Sequence, residues 1–410
     1  MSAVLQRAAP AALGAFEAFG VELEYMIVSR NSLDVLPIAE RILEGELARG
    51  SLAWSNELVA HVVELKNSRP TADLAALSAR LQSEIRMMNS ALRMLGARLM
   101  PGAMHPWMDP RRETRLWRGR GNAVYRAYDR IFDCRSHGWA NLQCMHINLP
   151  FGGDGEFARL HAAIRLALPI LPAIAAASPF ADGRAAGALD YRLEAYRTNS
   201  TRLPQMTGEV IPEPMASRAQ YERELLYPLY AALAPHDPHG LLRYEWANAR
   251  GAIARFDRSA IEIRVVDSQE CPAADIALAA LIIDLLWFLY EEERETGIAT
   301  FELARILRAC IRDAERARID SPAYLEVLSG DSQACEAAEL WARLASRLQK
   351  GEHRSLWQPF FGFVLEHGPL ARRLLHACGT EPSRARLAAV YGSLCECLER
   401  GALFDPSNSS

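Results

Sequence analysis

The chain has 410 residues, half of them apolar, and a formal net charge of −4. That size supports a large buried core, and the acidic balance excludes the basic field that a nucleic-acid binder needs. Lys66 and Lys350 are the only lysines among 46 basic residues, so arginine forks are the groups available to hold phosphate or carboxylate.

In chain order, residues 1–18 are alanine-rich, but Arg7 and Pro10 interrupt them and no signal peptide is expected. Residues 19–29 and 57–66 predict strands, and 72–98 carry the apolar spacing of a helix. A Pro- and Trp-rich loop over 101–120 follows, with His105, Trp107 and Trp117; its aromatics either border a binding site or form a satellite core. Residues 140–150 predict a strand and 155–177 a helix. Residues 178–218 are irregular and rich in Arg, Pro and Gly, as long functional loops often are. Residues 242–267 predict two strands joined near Asp257-Arg258-Ser259, and from 274 onward the pattern is helical. The apolar run from Ile276 to Tyr290 is short and broken by Asp284, which predicts a buried core helix and no membrane span. The eight cysteines form no C-x-x-C and no zinc-spaced cluster, a pattern of reduced thiols in a cytoplasmic protein. The expected layout is α+β and one catalytic domain: a core over 16–295, a helical region over 296–402 and a flexible tail over 403–410.

Chemistry-bearing side chains recur on the strands. Glu22 and Glu24 in GVELEYMIV share a face, because side chains alternate along a strand, and stand about 7 Å apart. That spacing suits two neighbouring divalent ions better than one. Glu64 sits in an apolar run, where a carboxylate is costly unless paired or metal-bound, and Glu57 precedes it. His146 and Asn148 share a face of MHINLPF; Glu262, Arg264 and Val266 share a face of AIEIRVVD. Hard oxygen donors with at most one imidazole fit Mg²⁺ or Mn²⁺ and not zinc. Each strand read alone also fits a structural ion pair or a solvated face. Arg192, Arg197 and Arg202 recur at five-residue spacing in the irregular segment. No P-loop, G-x-G-x-x-G, H-E-x-x-H or G-x-S-x-G motif is present.

The segments GVELEYM, ELVAHVVELK, GAMHPWMDP, DRIFDCRSHGWANLQCMHINLPF, RLEAYRTNSTRLP and GAIARFDRSAIEIRVVDSQECPAAD together resemble glutamate–cysteine ligase family 2, including the bacterial carboxylate–amine ligases of the YbdK type. The resemblance covers roughly residues 16–295 in order, and little of it lies after 300. It implies a fold like the catalytic domain of glutamine synthetase, in which a curved antiparallel sheet forms a funnel for ATP, two or three Mg²⁺ and glutamate. It further implies that Glu22, His146 and Glu262 hold one ion, that Glu24, Glu64 and Glu57 hold another, and that Arg264 meets the γ-phosphate. Arg197 is the expected partner of the substrate α-carboxylate or phosphate, with Arg192, Arg202 and Asn148 as further binding residues. The implied reaction activates a γ-carboxylate as an acyl phosphate and passes it to an amine, possible acceptors including L-cysteine. A homodimer is expected, with no nucleic-acid or membrane partner. Two other readings stay open: a phosphoryl transferase like the guanidino kinases, and a silent ATP- or glutamate-binding regulator of the same fold.

Overall fold

The computed structural model describes residues 13–43, 52–292 and 297–408. Seven strands form one open antiparallel sheet: β1 (Gly20–Ser29), β2 (Leu52–Asn56), β3 (Val62–Asn67), β4 (Ala97–Met100), β5 (Cys144–Pro150), β6 (Ala252–Arg255) and β7 (Ala260–Asp267). Their spatial order is β2-β3-β1-β5-β7-β6, with β4 paired to the second half of β1. The ten-residue β1 is therefore the hub: Glu24 lies opposite Glu64 and Glu22 opposite Lys66 on one side, and Glu22 lies opposite His146 on the other.

Alternation on β1 decides what each face does. Val21, Leu23 and Tyr25 are fully buried in the main apolar cluster, which leaves Glu22 and Glu24 on the opposite face. Beneath the sheet lie α1 (Leu74–Arg93), α3 (Asp154–Ala167) and α5 (Pro272–Glu291); α2 (Asn122–Phe132) and α4 (Tyr191–Thr198) belong to the other side, around the charged face. Helix α5 is long and apolar enough to cross a membrane, but it is buried almost along its whole length, packed on α1, α3 and α6 (Arg354–His367). The same apolar cluster runs on through Trp341, Trp357 and Phe361 of the C-terminal helices.

Several boundaries depart from the sequence reading. The strand expected at 57–66 is a hairpin, with β2 before it and residues 57–61 forming the connection. The helix expected over 72–98 stops at Arg93; Gly96 takes a φ of +68° and turns the chain into β4. The helix expected over 155–177 is cut at Ala167, because Pro169 has no N–H to continue the ladder. The irregular segment contains α4, capped by Asp190, whose carboxylate accepts from the Leu193 N–H at 2.9 Å. The turn expected at 257–259 joins β6 to β7, but residues 242–251 precede the strand. Phe404, within the stretch read as a tail, is buried, and its carbonyl accepts from Arg373 Nη1 at 2.6 Å. Residues 1–12 of the alanine-rich start lie outside the described residues.

Candidate active site

A cavity of about 370 Å³ opens on the charged face of the sheet. Glu22, Glu24, Glu57, Glu64, His146, Glu262 and Arg264 line it, together with the rings of Tyr125, Tyr128, Trp139 and Trp246. The strands place these groups through their register, since the facing residues of β3, β1, β5 and β7 all present the same side.

One carboxylate group comprises Glu24, Glu57 and Glu64, with one oxygen of each within 4.8 Å of the others. Burial, then the charges of Glu24 and Glu64, pushes Glu57 well above the usual carboxylate range. Among the described residues no basic side chain pairs with Glu57. Glu64 is pushed up to about 7 by burial and by Glu22, against the pull of Lys66. It also accepts from Ser55 Oγ at 2.7 Å. Glu24 accepts from the Cys144 N–H at 2.9 Å. A second group comprises Glu22, Glu64 and His146. Glu22 Oε2 lies 3.7 Å from His146 Nδ1 and 3.8 Å from Lys66 Nζ. Burial would raise Glu22, but His146 and Lys66 outweigh it and hold the carboxyl well below its ordinary value. Burial opposes charge on His146, yet Cys144, Glu22 and Glu262 push the imidazole up.

Glu262 is almost fully buried, and its oxygens are already engaged: Arg255 Nη1 donates at 3.1 Å and Arg264 Nε at 2.6 Å. It faces His146 Nδ1 at 3.9 Å. The guanidiniums of Arg264 and Arg255, with His146, hold its carboxyl low despite burial. Asn148 donates to Glu22 Oε1 at 3.1 Å from outside the cavity lining.

A bulge corrects the expected face of β7. Met145 pairs with Val266 and Ile147 with Ile263, so Arg264 and Val265 stand opposite the single residue His146. The extra residue reverses the alternation, which puts Val266 with Met145 in the apolar cluster and carries Asp267 to the position opposite Cys144. Asp267 then accepts from Ser178 Oγ and the Ala177 N–H, both at 2.8 Å, and pairs with Arg192.

The three evenly spaced arginines part company. Arg192 reaches the cavity wall but is buried and bound to Asp267. Five residues along a helix rotate by about 140°, so Arg197 points elsewhere; it pairs with Glu194 and does not line the cavity. Arg202 lies beyond the helix, exposed, and donates to the Ile131 carbonyl at 2.6 Å. Two of the loop aromatics pack away from the cavity, where His105 bonds the Leu33 carbonyl at 2.8 Å and Arg384 sits 3.8 Å over the Trp107 ring, while Trp117 is buried in the main apolar cluster.

Sequence reasoning missed Lys66 and Cys144. Lys66 is two residues from Glu64 on β3, and its ammonium pairs with Glu64 and Glu22 inside the carboxylate cluster. Cys144 is two residues from His146 on β5, with its sulfur 3.1 Å from His146 Nε2. Same-face spacing was the available signal for both. All eight cysteines are free and buried.

The donor set suits a hard divalent cation: carboxylates crowd within a few ångströms, one imidazole joins them, and burial together with neighbouring carboxylates drives Glu57 and Glu64 up.

Comparison with known proteins agrees with this architecture. An uncharacterized protein of Archaeoglobus fulgidus is 31% identical over 392 residues, covering 94% of this chain and 99% of its own. The solved glutamate–cysteine ligase of Francisella tularensis in complex with AMP superposes with a TM-score of 0.63 at 12% identity, over 93% of this chain and 88% of that one. A bifunctional glutathione synthetase from Pasteurella multocida gives 0.59 at 13% identity, over 94% of this chain and 52% of that one. At those identities the likeness is one of fold. The profile of glutamate–cysteine ligase family 2 (GCS2) matches residues 18–392, well past residue 295 and into the C-terminal helices. With that match spanning the sheet, the acidic cavity and the helical region alike, the chain belongs to glutamate–cysteine ligase family 2.

Proposed function

We propose that the protein joins a carboxylate, the γ-carboxylate of glutamate or a close analogue, to an amine at the expense of ATP. The observation that carries this reading is the convergence of five acidic side chains and His146 in one cavity, with the Arg264 guanidinium beside them. Such an array has little use except to hold cations that meet phosphate oxygens. The Francisella tularensis ligase of like fold, solved with AMP, supports an adenine nucleotide as the phosphate source.

Glu24, Glu57 and Glu64 would hold one Mg²⁺ or Mn²⁺, and Glu22, His146 and Glu262 a second. When bound, the ions neutralise charge on the phosphate oxygens. Ligation by His146 requires loss of the proton that its neighbours favour, so affinity rises with pH. Arg264 extends from the bulge beside Glu262 and offers its remaining donors to the transferring phosphoryl group. Arg192 and Asp267 fix the adjoining wall.

Hydroxide is a poor leaving group, so a carboxylate must be activated before an amine can displace it. A carboxylate oxygen attacks the γ-phosphorus of ATP and ADP leaves. The amine nitrogen then attacks the acyl carbon; the C–N bond forms, the C–O bond to phosphate breaks, and the nitrogen loses a proton. The chain's share of this work is positioning and charge neutralisation. Tyr128, Trp139 and Trp246 add aromatic surface to the cavity lining for the less polar parts of the substrates.

The test is ADP release by the purified protein with ATP, Mg²⁺ and L-glutamate, with and without a panel of amines that includes L-cysteine. Release that requires both glutamate and one amine is the expected result and names the acceptor. Release at the same rate without any amine would refute ligation, and silence with every amine would refute glutamate as the donor.

A further inference from the structure

Helix α2 has two working faces. Tyr125 and Tyr128 line the catalytic cavity. Asn122, Arg126 and Asp129, at helical spacing on another face, line a separate cleft of about 710 Å³. Arg111, Arg115, Arg118 and Arg135 complete its charged rim.

This concentration of charge is unlike the rest of the chain. Between 111 and 135 the sequence has eight arginines and three acidic residues, in a protein whose net charge is −4. Elsewhere arginines are commonly matched: Arg250 with Glu213, Arg372 with Glu315, Arg373 with Glu270. Among the described residues, none of the five cleft arginines makes an ion pair. Arg115 Nη1 donates only to the carbonyls of Arg112 and Thr114, at 2.8 and 2.9 Å. Asp129 is the one acidic lining residue, and its Oδ1 accepts from the Cys134 N–H at 3.1 Å. Five like charges around one concavity repel each other, and a ligand with several negative charges would relieve them.

We propose that this cleft binds a chain of linked phosphates, either inorganic polyphosphate or the phosphate tail of a nucleotide. Planar guanidinium forks match phosphate oxygens, and the volume lies within the ordinary range for small-molecule sites. The cleft is distinct from the acidic cavity, where the crowded carboxyls of Glu24, Glu57 and Glu64 disfavour a metal-free phosphate chain. Its floor is nonetheless tied to the catalytic wall: the Trp117 N–H donates to the Leu58 carbonyl at 3.0 Å and the Ala60 N–H to the Arg115 carbonyl at 2.8 Å, next to Glu57.

Binding of inorganic triphosphate to the full chain, measured by calorimetry in EDTA, tests the assignment. The wild-type protein is expected to bind it, more weakly as salt is raised. Arg118→Glu with Arg126→Glu should weaken binding by about tenfold or more, and Arg118→Gln with Arg126→Gln by less, with thermal melts checking that both variants fold. Repeating the titration with ATP in EDTA separates the two sources: equal affinity assigns the phosphate chain alone, and tighter binding that the charge reversal abolishes assigns a nucleotide. No binding of triphosphate, equal binding by wild type and the reversed variant, or binding of a single-stranded oligonucleotide in its place would overturn the proposal.

Discussion

Glu57→Gln isolates the electrostatic character of the acidic cavity. One oxygen each of Glu24, Glu57 and Glu64 lies within 4.8 Å of the others. At an effective dielectric constant of about 20, one like-charge pair at that spacing costs about 3 kcal/mol. Water in the open cavity screens this to something on the order of 2 kcal/mol. Burial and these neighbours favour the protonated form of Glu57, so the metal-free chain bears this penalty either as repulsion or as the cost of taking up a proton. An amide of the same shape removes both, and the metal-free protein should become more stable. With an unfolding entropy of about 2 cal/mol/K per residue, a chain this long gains roughly 2 °C in its thermal midpoint. The assay is thermal unfolding near neutral pH, in EDTA and in saturating Mg²⁺. Wild-type protein should gain stability from Mg²⁺, about 2.7 kcal/mol at a hundredfold excess over its Kd, and the variant should gain less. A lower midpoint for Glu57→Gln in EDTA, or an undiminished Mg²⁺ shift, would show that Glu57 neither strains the empty cavity nor holds a cation there.

Arg264→Lys should lower kcat by about a hundredfold or more, because an ammonium cannot hold Glu262 and a phosphoryl group together as a planar fork does; a normal kcat in steady-state kinetics would reduce Arg264 to a structural partner. Arg197→Ala should leave kcat and KM within about twofold, since Arg197 pairs with Glu194 outside the cavity and an exposed pair contributes under about 1 kcal/mol; a large rise in KM for the carboxylate substrate would return it to the site. Burial depresses His61 to about 4, and His105 and His161 to about 3 each. These histidines fold neutral, so their contribution is present above the unfolded value near 6.5 and is lost as pH falls toward the folded values. At pH 5 each loses on the order of 2 kcal/mol, and His161→Phe, placed among the rings of Phe157 and Tyr221, should remove that share and flatten the acid-induced drop in melting temperature. A melting temperature with the same pH dependence in wild type and variant would remove His161 from this account.

Much of the site was legible in the sequence, and the reason is local. Alternation along a strand depends only on the chain's own two-residue period. It therefore separated Glu22 and Glu24 from Val21 and Leu23, and His146 and Asn148 from Met145 and Ile147, before any neighbour was known. The apolar run of α5 announced a buried helix in the same way, and the density of carboxylates on strands pointed to hard cations. What the sequence could not decide depended on neighbours. Glu57 leaves its strand and joins Glu24 because a hairpin turns there, and a short edge strand such as β2 has too few residues to show a period. Arg192 and Arg197 looked equivalent at fixed spacing, but the rotation of a helix sent one to Asp267 and the other to Glu194. Lys66 and Cys144 entered the site only because the register of β1 with β3 and β5 brought them beside Glu22 and Glu24. The bulge opposite His146 reversed the faces of β7 after Arg264, through one unpaired residue whose presence is defined only against a partner strand. A chain's own period fixes which residues share a face; pairing, register and helix rotation fix which faces meet, and those are properties of the folded whole.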